Sequence, residues 1–246
     1  MFQRVLEHGE KSEVEQVVVA VAKKPEAFRR AAMVKHGTRS VQVLLSACSP
    51  DQMTVLADVL RGSFVQLAAS SQGHHVATKF LKIAPSECVR IAIDEIQPYC
   101  VSLSQTRYGC VVVRCCLDYA DEDHHAKIAG SLMASASTLA RDCFANYVLQ
   151  HLIDGDRDGS ATASVTRFVL SEAQSLIFSS TASHVVEKVI RAAAADEIRA
   201  IVAKILAIDA SKLLSDRYAT YVPRGGVSAT LPTTPPAPPM HPPVAM

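Results

Sequence analysis

Six small residues set the frame of this chain. Gly37, Gly73, Gly109, Ala145, Ala182 and Ala219 follow one another at intervals of 36, 36, 36, 37 and 37 residues. The segments around them align without gaps: HGTRSVQVLL, QGHHVATKFL, YGCVVVRCCL, FANYVLQHLI, TASHVVEKVI and YATYVPRGGV. Apolar positions keep the same register. Seven residues after the position of Asn146 stand Leu45, Leu81, Leu117, Ile153 and Ile190. Seven before it stand Leu67, Leu103, Leu139, Leu176 and Leu213, with Ala31 in the earliest copy. A period of this length is one supersecondary unit copied along the chain. Each copy is too small to bury its apolar face alone and must stack on its neighbours.

The aligned segment has helical periodicity: in CFANYVLQHLI, Phe144, Val148, Leu149, Leu152 and Ile153 share one face. An amphipathic stretch precedes it, and a polar turn and a second amphipathic stretch such as EIRAIVAKILAI follow it. Hydrophobic residues make up 49% of the 246, aromatics only 5%, a composition that favours helices packed closely on helices. The expected fold is all-α, an α-solenoid of repeats of about 36 residues. The frame places a partial repeat at 1–19, full repeats at about 20–55, 56–91, 92–127, 128–164 and 165–201, and a truncated repeat at 202–222. In the first of these, Phe2, Val5 and Leu6 take the places of Val41, Leu44 and Leu45. In the last, Pro223 stands where Leu149 and Val186 stand in earlier copies, and proline there breaks a helix. Residues 223–246 are Pro-rich and are expected to form a disordered or polyproline-like tail.

Several chemistries find no support. Twenty-four acids against 25 bases neither require nor exclude a nucleic-acid partner, since a basic stripe can hide in a neutral total. The seven cysteines (Cys48, Cys88, Cys100, Cys110, Cys115, Cys116 and Cys143) are odd in number and show no CxxC or Cys/His quartet, so reduced thiols are expected rather than disulfides or zinc. The start, MFQRVLEHGEK, is charged, and no apolar run reaches the roughly 18 residues of a membrane span. A soluble, cytoplasmic chain is expected. No GxSxG, Walker A, HExxH or post-strand GxGxxG occurs, so neither an enzyme nor a cofactor is expected. DGDRDGS at 154–160 lacks the closing Glu of a calcium loop. His124 and His125, in DYADEDHHAK, read as residues of a turn between helices.

Against the steady apolar frame, three positions change identity from copy to copy. They are Thr38, Arg39 and Gln42; His74, His75 and Thr78; Cys110, Val111 and Arg114; Asn146, Tyr147 and Gln150; Ser183, His184 and Glu187. The partial last copy gives Thr220, Tyr221 and Arg224. Equivalent positions of a solenoid line one continuous surface. A surface of constant geometry and varied hydrogen-bonding groups suits the reading of a varied linear polymer.

These motifs resemble the Pumilio-homology (PUF) repeats: FANYVLQHL and TASHVVEKVI most directly, with HGTRSVQ, YGCVVVRCCL and DRYATYV fitting neighbouring repeats, over about residues 1 to 222. The resemblance implies a right-handed crescent of three-helix repeats whose concave face binds single-stranded RNA, one base per repeat, read by side chains of the second helix. The chain would then carry the end of a second repeat, repeats three to seven and a truncated eighth. It also implies RNA running antiparallel to the protein, a 5′-UGU element read by the last repeats, and repression or destabilisation of messenger RNAs through their 3′ untranslated regions. Repressor or deadenylase-recruiting proteins would be the protein partners of a monomeric chain.

Donor and acceptor chemistry assigns bases. Asn146 and Gln150 each offer a donor and an acceptor, matching uracil, and Tyr147 offers a stacking face. Ser183 with the acceptor-only carboxylate of Glu187 suits the N–H donors of guanine, with His184 stacking. Cys110 with Arg114 suits the acceptors of cytosine better than an adenine edge, although Val111 stacks poorly, and the base after the GU would be C or A. Thr38, Arg39 and Gln42 are compatible with adenine, His74, His75 and Thr78 assign no base, and Tyr221 keeps a stacking ring. Lys79, Arg107 and Lys188 are expected to assist with phosphates. The alternative is a helical-repeat scaffold for proteins, or a PUF-derived chain with degenerate RNA binding; Val111, the His74 triplet and the missing terminal repeats point that way.

Overall fold

A computed structural model of the chain describes residues 11–156, 159–216 and 218–219. Phe2, Val5, Leu6, the triplet Thr220, Tyr221 and Arg224, and the Pro-rich tail lie outside the described residues. Among the described residues the regular elements are all helices. They fall into three kinds. Short first helices span Pro25–Ala32, Phe64–Ala69, Cys100–Ser104 and Ala136–Arg141. Middle helices span Lys35–Ala47, Gly73–Ile83, Gly109–Tyr119, Asn146–Asp154 and Ala182–Ala192. Third helices span Lys11–Ala22, Pro50–Leu60, Ser86–Ile96, Glu122–Ala134, Ser160–Leu176 and Ala195–Leu206. Each middle helix packs on the next, so the five stand side by side as one layer.

The repeated apolar positions form the core. Leu67, Leu139 and Leu176 are wholly buried, and Leu45, Leu81, Leu103, Leu117, Ile153 and Ile190 nearly so. Each contributes about 1.5–3 kcal/mol over an exposed side chain. Leu213 and Ala31, at the two ends of the series, are only half-buried. The cysteines are all free thiols, five of them buried.

The small residues that mark the period sit where the middle helix crosses the first helix. A Cβ on Gly37, Gly73 or Gly109 would come within 3.0 Å of the backbone of Ala31, Leu67 or Leu103. Only a residue without a side chain allows that approach. Ala145 and Ala182, fully buried at the equivalent points, show that the later copies accommodate one methyl group.

A recurring cap starts the middle helices. Ser70 Oγ accepts from the backbone N–H of Gln72 and Gly73 (3.3 and 3.0 Å), Thr106 Oγ1 from Gly109 (3.1 Å), Asp142 Oδ1 from Phe144 and Ala145 (both 2.8 Å), and Ser179 Oγ from Ala182 (3.2 Å). Asp216 Oδ1 accepts from Tyr218 and Ala219 in the same way. These side chains satisfy N–H groups that the first turn leaves without a partner.

His124 and His125 are not turn residues. They lie in the first turn of Glu122–Ala134, whose N-cap is Asp121. His124 is buried, with Nδ1 2.7 Å from Asp121 Oδ1 and Nε2 2.9 Å from Asp94 Oδ1 on the preceding third helix. Two carboxylates, one at each ring nitrogen, require both nitrogens to donate, which is the imidazolium form. The hydrogen bond to Asp94 is the main cause that raises its pKa above the ordinary value, against the opposing effect of burial. Asp121, bonded by the His124 N–H and ring, is held below the usual carboxylate range.

Two outcomes are expected. Gly109→Ala should lower the free energy of urea unfolding by about 1–3 kcal/mol through overpacking, whereas Ala145→Gly should cost about 0.5–1 kcal/mol. A group whose pKa is raised on folding stabilises below its unfolded pKa, and that contribution is lost as pH rises through the folded value. The urea midpoint should therefore fall as pH climbs above the ordinary histidine pKa, and His124→Gln should flatten that dependence.

Candidate nucleic-acid interface

The middle-helix layer brings the fifteen described variable positions into one array with a constant relief. The first residue of every triplet is buried: Thr38, His74, Cys110, Asn146 and Ser183. The second is exposed every time: Arg39, His75, Val111, Tyr147 and His184. The third is half-buried every time: Gln42, Thr78, Arg114, Gln150 and Glu187. Residues i and i+4 lie one turn apart on a helix, with i+1 projecting beside them. A flat ring between the protruding second residues of adjacent helices would meet edge groups from the first and third. Asn146 is 2% exposed and Tyr147 50%, although they are neighbours in sequence.

The caps aim the first position. Asn146 Nδ2 donates to the carbonyl of Asp142 (2.8 Å), and Gln150 Nε2 donates to Asn146 Oδ1 (3.0 Å). The two amides are thus held edge to edge, with the Gln150 carbonyl left open. In the next helix Glu187 pairs with Arg191 and lies 4.0 Å from His184 Nδ1. Arg191 donates to one oxygen, so the carboxylate is oriented and remains an acceptor.

The remaining triplets differ in what they leave available. Cys110 Sγ donates to the Arg107 carbonyl at 3.5 Å, and burial pushes its thiol pKa up. Arg114 has a buried Nε without a hydrogen-bond partner. Gln42 Nε2 donates to Thr38 at 3.3 Å, and Thr38 Oγ1 donates to the Gln72 carbonyl of the next repeat at 3.1 Å. His74 Nδ1 lies 3.1 Å from the Ser70 carbonyl, to which it donates, and Thr78 Oγ1 donates to the His74 carbonyl at 2.9 Å. The His74 ring is held between His75 (centroids 3.9 Å apart) and Tyr108 (4.9 Å, stacked). Desolvation lowers its pKa, so the neutral ring is favoured.

Of the three cations expected to meet phosphates, Lys79 and Arg107 make no salt bridge among the described residues, and Lys188 does. Lys188 forms an ion pair with Asp154 of the preceding middle helix, and Arg107 stands over the Tyr108 ring at 5.8 Å. His151 and Asp118 make a similar rung one step earlier (2.7 Å). Sequence reasoning missed two features. Tyr108 occupies a position that is aromatic in three copies, with Phe144 and Tyr218. The caps Ser70, Thr106, Asp142, Ser179 and Asp216 recur at the period of the repeat, four residues before the first position of every copy but the earliest, where Val34 stands. Among the described residues no cluster of His, Cys, Asp and Glu could hold a metal, and no helix is long and apolar enough to cross a membrane.

The sequence model of the Pumilio-family RNA binding repeat matches residues 1–22, 35–61, 99–132, 136–157 and 181–206, more than half of the chain. The chain belongs to this family. Pumilio homolog 11 of Arabidopsis thaliana is 25% identical over 231 residues, covering 94% of this chain and 41% of that protein. A Pumilio domain-containing protein of Schizosaccharomyces pombe is 29% identical over 226 residues, covering 90% of this chain and 32% of that one. The chain therefore spans less than half the length of either relative. The solved Puf4 RNA binding domain, bound to the HO endonuclease RNA 3′ UTR recognition sequence, superposes with a TM-score of 0.83 at 25% identity, over 92% of this chain and 71% of that one. The fold is that helical solenoid. Residues 62–98, which hold the His74, His75 and Thr78 triplet, are not among the segments that the Pumilio repeat model matches.

The first Pumilio position carries structural as well as chemical duty. Asn146→Ala should lower the unfolding free energy by about 1 kcal/mol, by loss of the bond to the Asp142 carbonyl. Gln150→Ala, half-buried and bonded only to Asn146, should stay within about 0.5 kcal/mol of the parent. Urea denaturation of the two variants checks the difference.

Proposed function

We propose that this chain binds single-stranded RNA in a sequence-specific manner on the concave face formed by its middle helices. The observation that carries the reading is the buried, exposed, half-buried relief repeated in five successive helices. It offers a stacking face and two edge groups per repeat, the arrangement by which a Pumilio repeat takes one base. The RNA carried by Puf4, 25% identical to this chain, supports the same ligand class.

The base assignments follow the donors and acceptors. Asn146, Tyr147 and Gln150 take uracil, and Ser183, His184 and Glu187 take guanine, giving G-U as the core of a UGU element. The initial U depends on Tyr221. Cys110, Val111 and Arg114 take cytosine: a guanidinium only donates, and the pyrimidine presents O2 and N3 as acceptors. Binding to such an element in 3′ untranslated regions, with recruitment of repressor or deadenylase-recruiting proteins in the cytoplasm, would make the chain a post-transcriptional regulator. Binding and no covalent chemistry is the proposed activity, by a monomer.

Fluorescence anisotropy at one fixed, moderate salt concentration tests this. An RNA containing UGU should bind at least tenfold tighter than the same RNA carrying ACA, about 1.4 kcal/mol. Tyr147→Ala should weaken binding by about 1–3 kcal/mol through lost stacking and leave the preference in place. Glu187→Gln should erode the selection of guanine, because half of an acceptor becomes a donor. Equal affinity for both RNAs, or none, from the folded chain would sink the proposal in favour of a protein-binding scaffold.

A further inference from the structure

Charge is divided unevenly along the middle-helix layer. The first two middle helices, Lys35–Ala47 and Gly73–Ile83, contain no Asp or Glu. They carry Lys35, Arg39, Lys79 and Lys82, and none of these four takes part in a salt bridge among the described residues. The next three middle helices each bring an acid, and each acid is engaged: Asp118 with His151, Asp154 with Lys188, Glu187 with Arg191. Lys188 and Arg191 of the last helix are thus neutralised by acids of this layer, while the four cations of the first two helices and Arg114 of the third make no such pair among the described residues.

The open cations surround a space. Lys35, Arg39, Gln42, Ser46, His75 and Lys79 line a broad depression of about 740 Å³ between the two helices. Lys35, Arg39 and Lys79 stand around it, and no acid among the described residues forms a salt bridge with them. An anionic ligand would offset their charge. The depression is too wide and too open for a single small ion, and its length runs across two repeats, as a ribose–phosphate chain would. The edge groups in these same repeats are already committed: the Thr38 hydroxyl to Gln72, the Gln42 amide to Thr38, the Thr78 hydroxyl to His74, and the His74 ring to Ser70, His75 and Tyr108. Of these groups the Gln42 carbonyl stays open, as that of Gln150 does in its repeat, and three cations stand beside it that can hold phosphate.

We propose that the first two middle helices grip RNA by its phosphodiester backbone without regard to base, through Lys35, Arg39 and Lys79, while the later three helices read sequence. The proposal rests on the RNA-binding reading above. Affinity and specificity then come from different halves of one face, since phosphate contacts position a strand and carry no sequence information.

Salt dependence isolates the backbone component, because each phosphate neutralised on a single strand adds about −0.7 to the slope of log Kobs against log[KCl]. Anisotropy titrations over a range of KCl, on UGU and ACA RNAs, would compare the parent with Lys35→Gln/Lys79→Gln. A charge-matched control, Arg167→Gln/Lys204→Gln, lies on third helices that carry no reading position, and thermal melts by circular dichroism verify the fold of each variant. The Lys35/Lys79 double variant should lose about 1.4 from the magnitude of the slope and weaken both RNAs by the same factor, while the control keeps the parental slope. An unchanged slope in the double variant, or an equal fall in the control, overturns backbone anchoring while the parent's UGU preference leaves the RNA reading standing. A change in the UGU-to-ACA ratio beyond threefold also overturns it, since these helices would then be reading bases. Failure of the parent to bind either RNA overturns both readings together.

Discussion

The bond that joins a polar cap to the first turn of four of the five described middle helices underlies the geometry of the surface. A short polar side chain at Ser70, Thr106, Asp142 or Ser179 accepts backbone N–H groups three residues on, and so fixes where the helix begins. Its own backbone carbonyl then receives the helix residue that opens the triplet, through the backbone N–H at 3.0–3.3 Å in the four copies. At Asn146 and His74 the side chain joins as well. The first position is therefore buried and aimed before any ligand arrives. Preorganisation of this kind lowers the ordering cost of binding. It also explains why the residue there changes between Thr, His, Cys, Asn and Ser without disturbing the relief: the backbone bond sets the position, and the side chain supplies only chemistry.

Much of this architecture was legible in the sequence because burial repeats with a period. Leu81, Leu117 and Ile153 can be placed in the core from spacing alone, since a stack of like units must bury like positions. The alternation of exposure within each triplet was legible for the same reason, being fixed by helical geometry. The caps were harder to see. Ser, Thr and Asp share little but a short acceptor, so a series of Ser70, Thr106, Asp142, Ser179 and Asp216 does not look like one motif until its hydrogen bonds are known. Contacts across repeats were not legible at all. That His74 would lie against Tyr108, that Lys188 would be taken up by Asp154, and that His124 would reach Asp94 depend on how adjacent units are offset, which no single repeat encodes. The helix start at Asp121 that holds His124 is a local signal that sequence reasoning missed.

Side-chain bridges show how a solenoid adjusts one face locally. Asp118 and His151, then Asp154 and Lys188, link successive middle helices at equivalent points, so the same rung is built from different residues. One step earlier the corresponding place is held by Cys115, whose thiol reaches toward the Thr78 carbonyl at 3.8 Å and is pushed up to a pKa of about 11 by burial. A rung with a carboxylate there gives way to one with a thiol, and no acid among the described residues pairs with the cations of the first two middle helices. The unmatched stretch 62–98 coincides with this change in character.

The 17-residue helix Ser160–Leu176 differs from the other third helices in continuing into the place where a separate first helix would stand. The interruption that parts third from first helix at 61–63 and at Ser135 is absent here, so the helix runs on unbroken to Leu176. Repeat arrays are commonly treated as interchangeable bricks, exchanged at their joints to alter what is recognised. Here the joint between the units of Asn146 and Ser183 is a single rod, and a graft cut at that place would sever hydrogen-bonded turns. The two triplets are mechanically one cassette: they must be inherited, transplanted and tilted together, so recombination in nature or in the laboratory would trade them as a dinucleotide word rather than as letters.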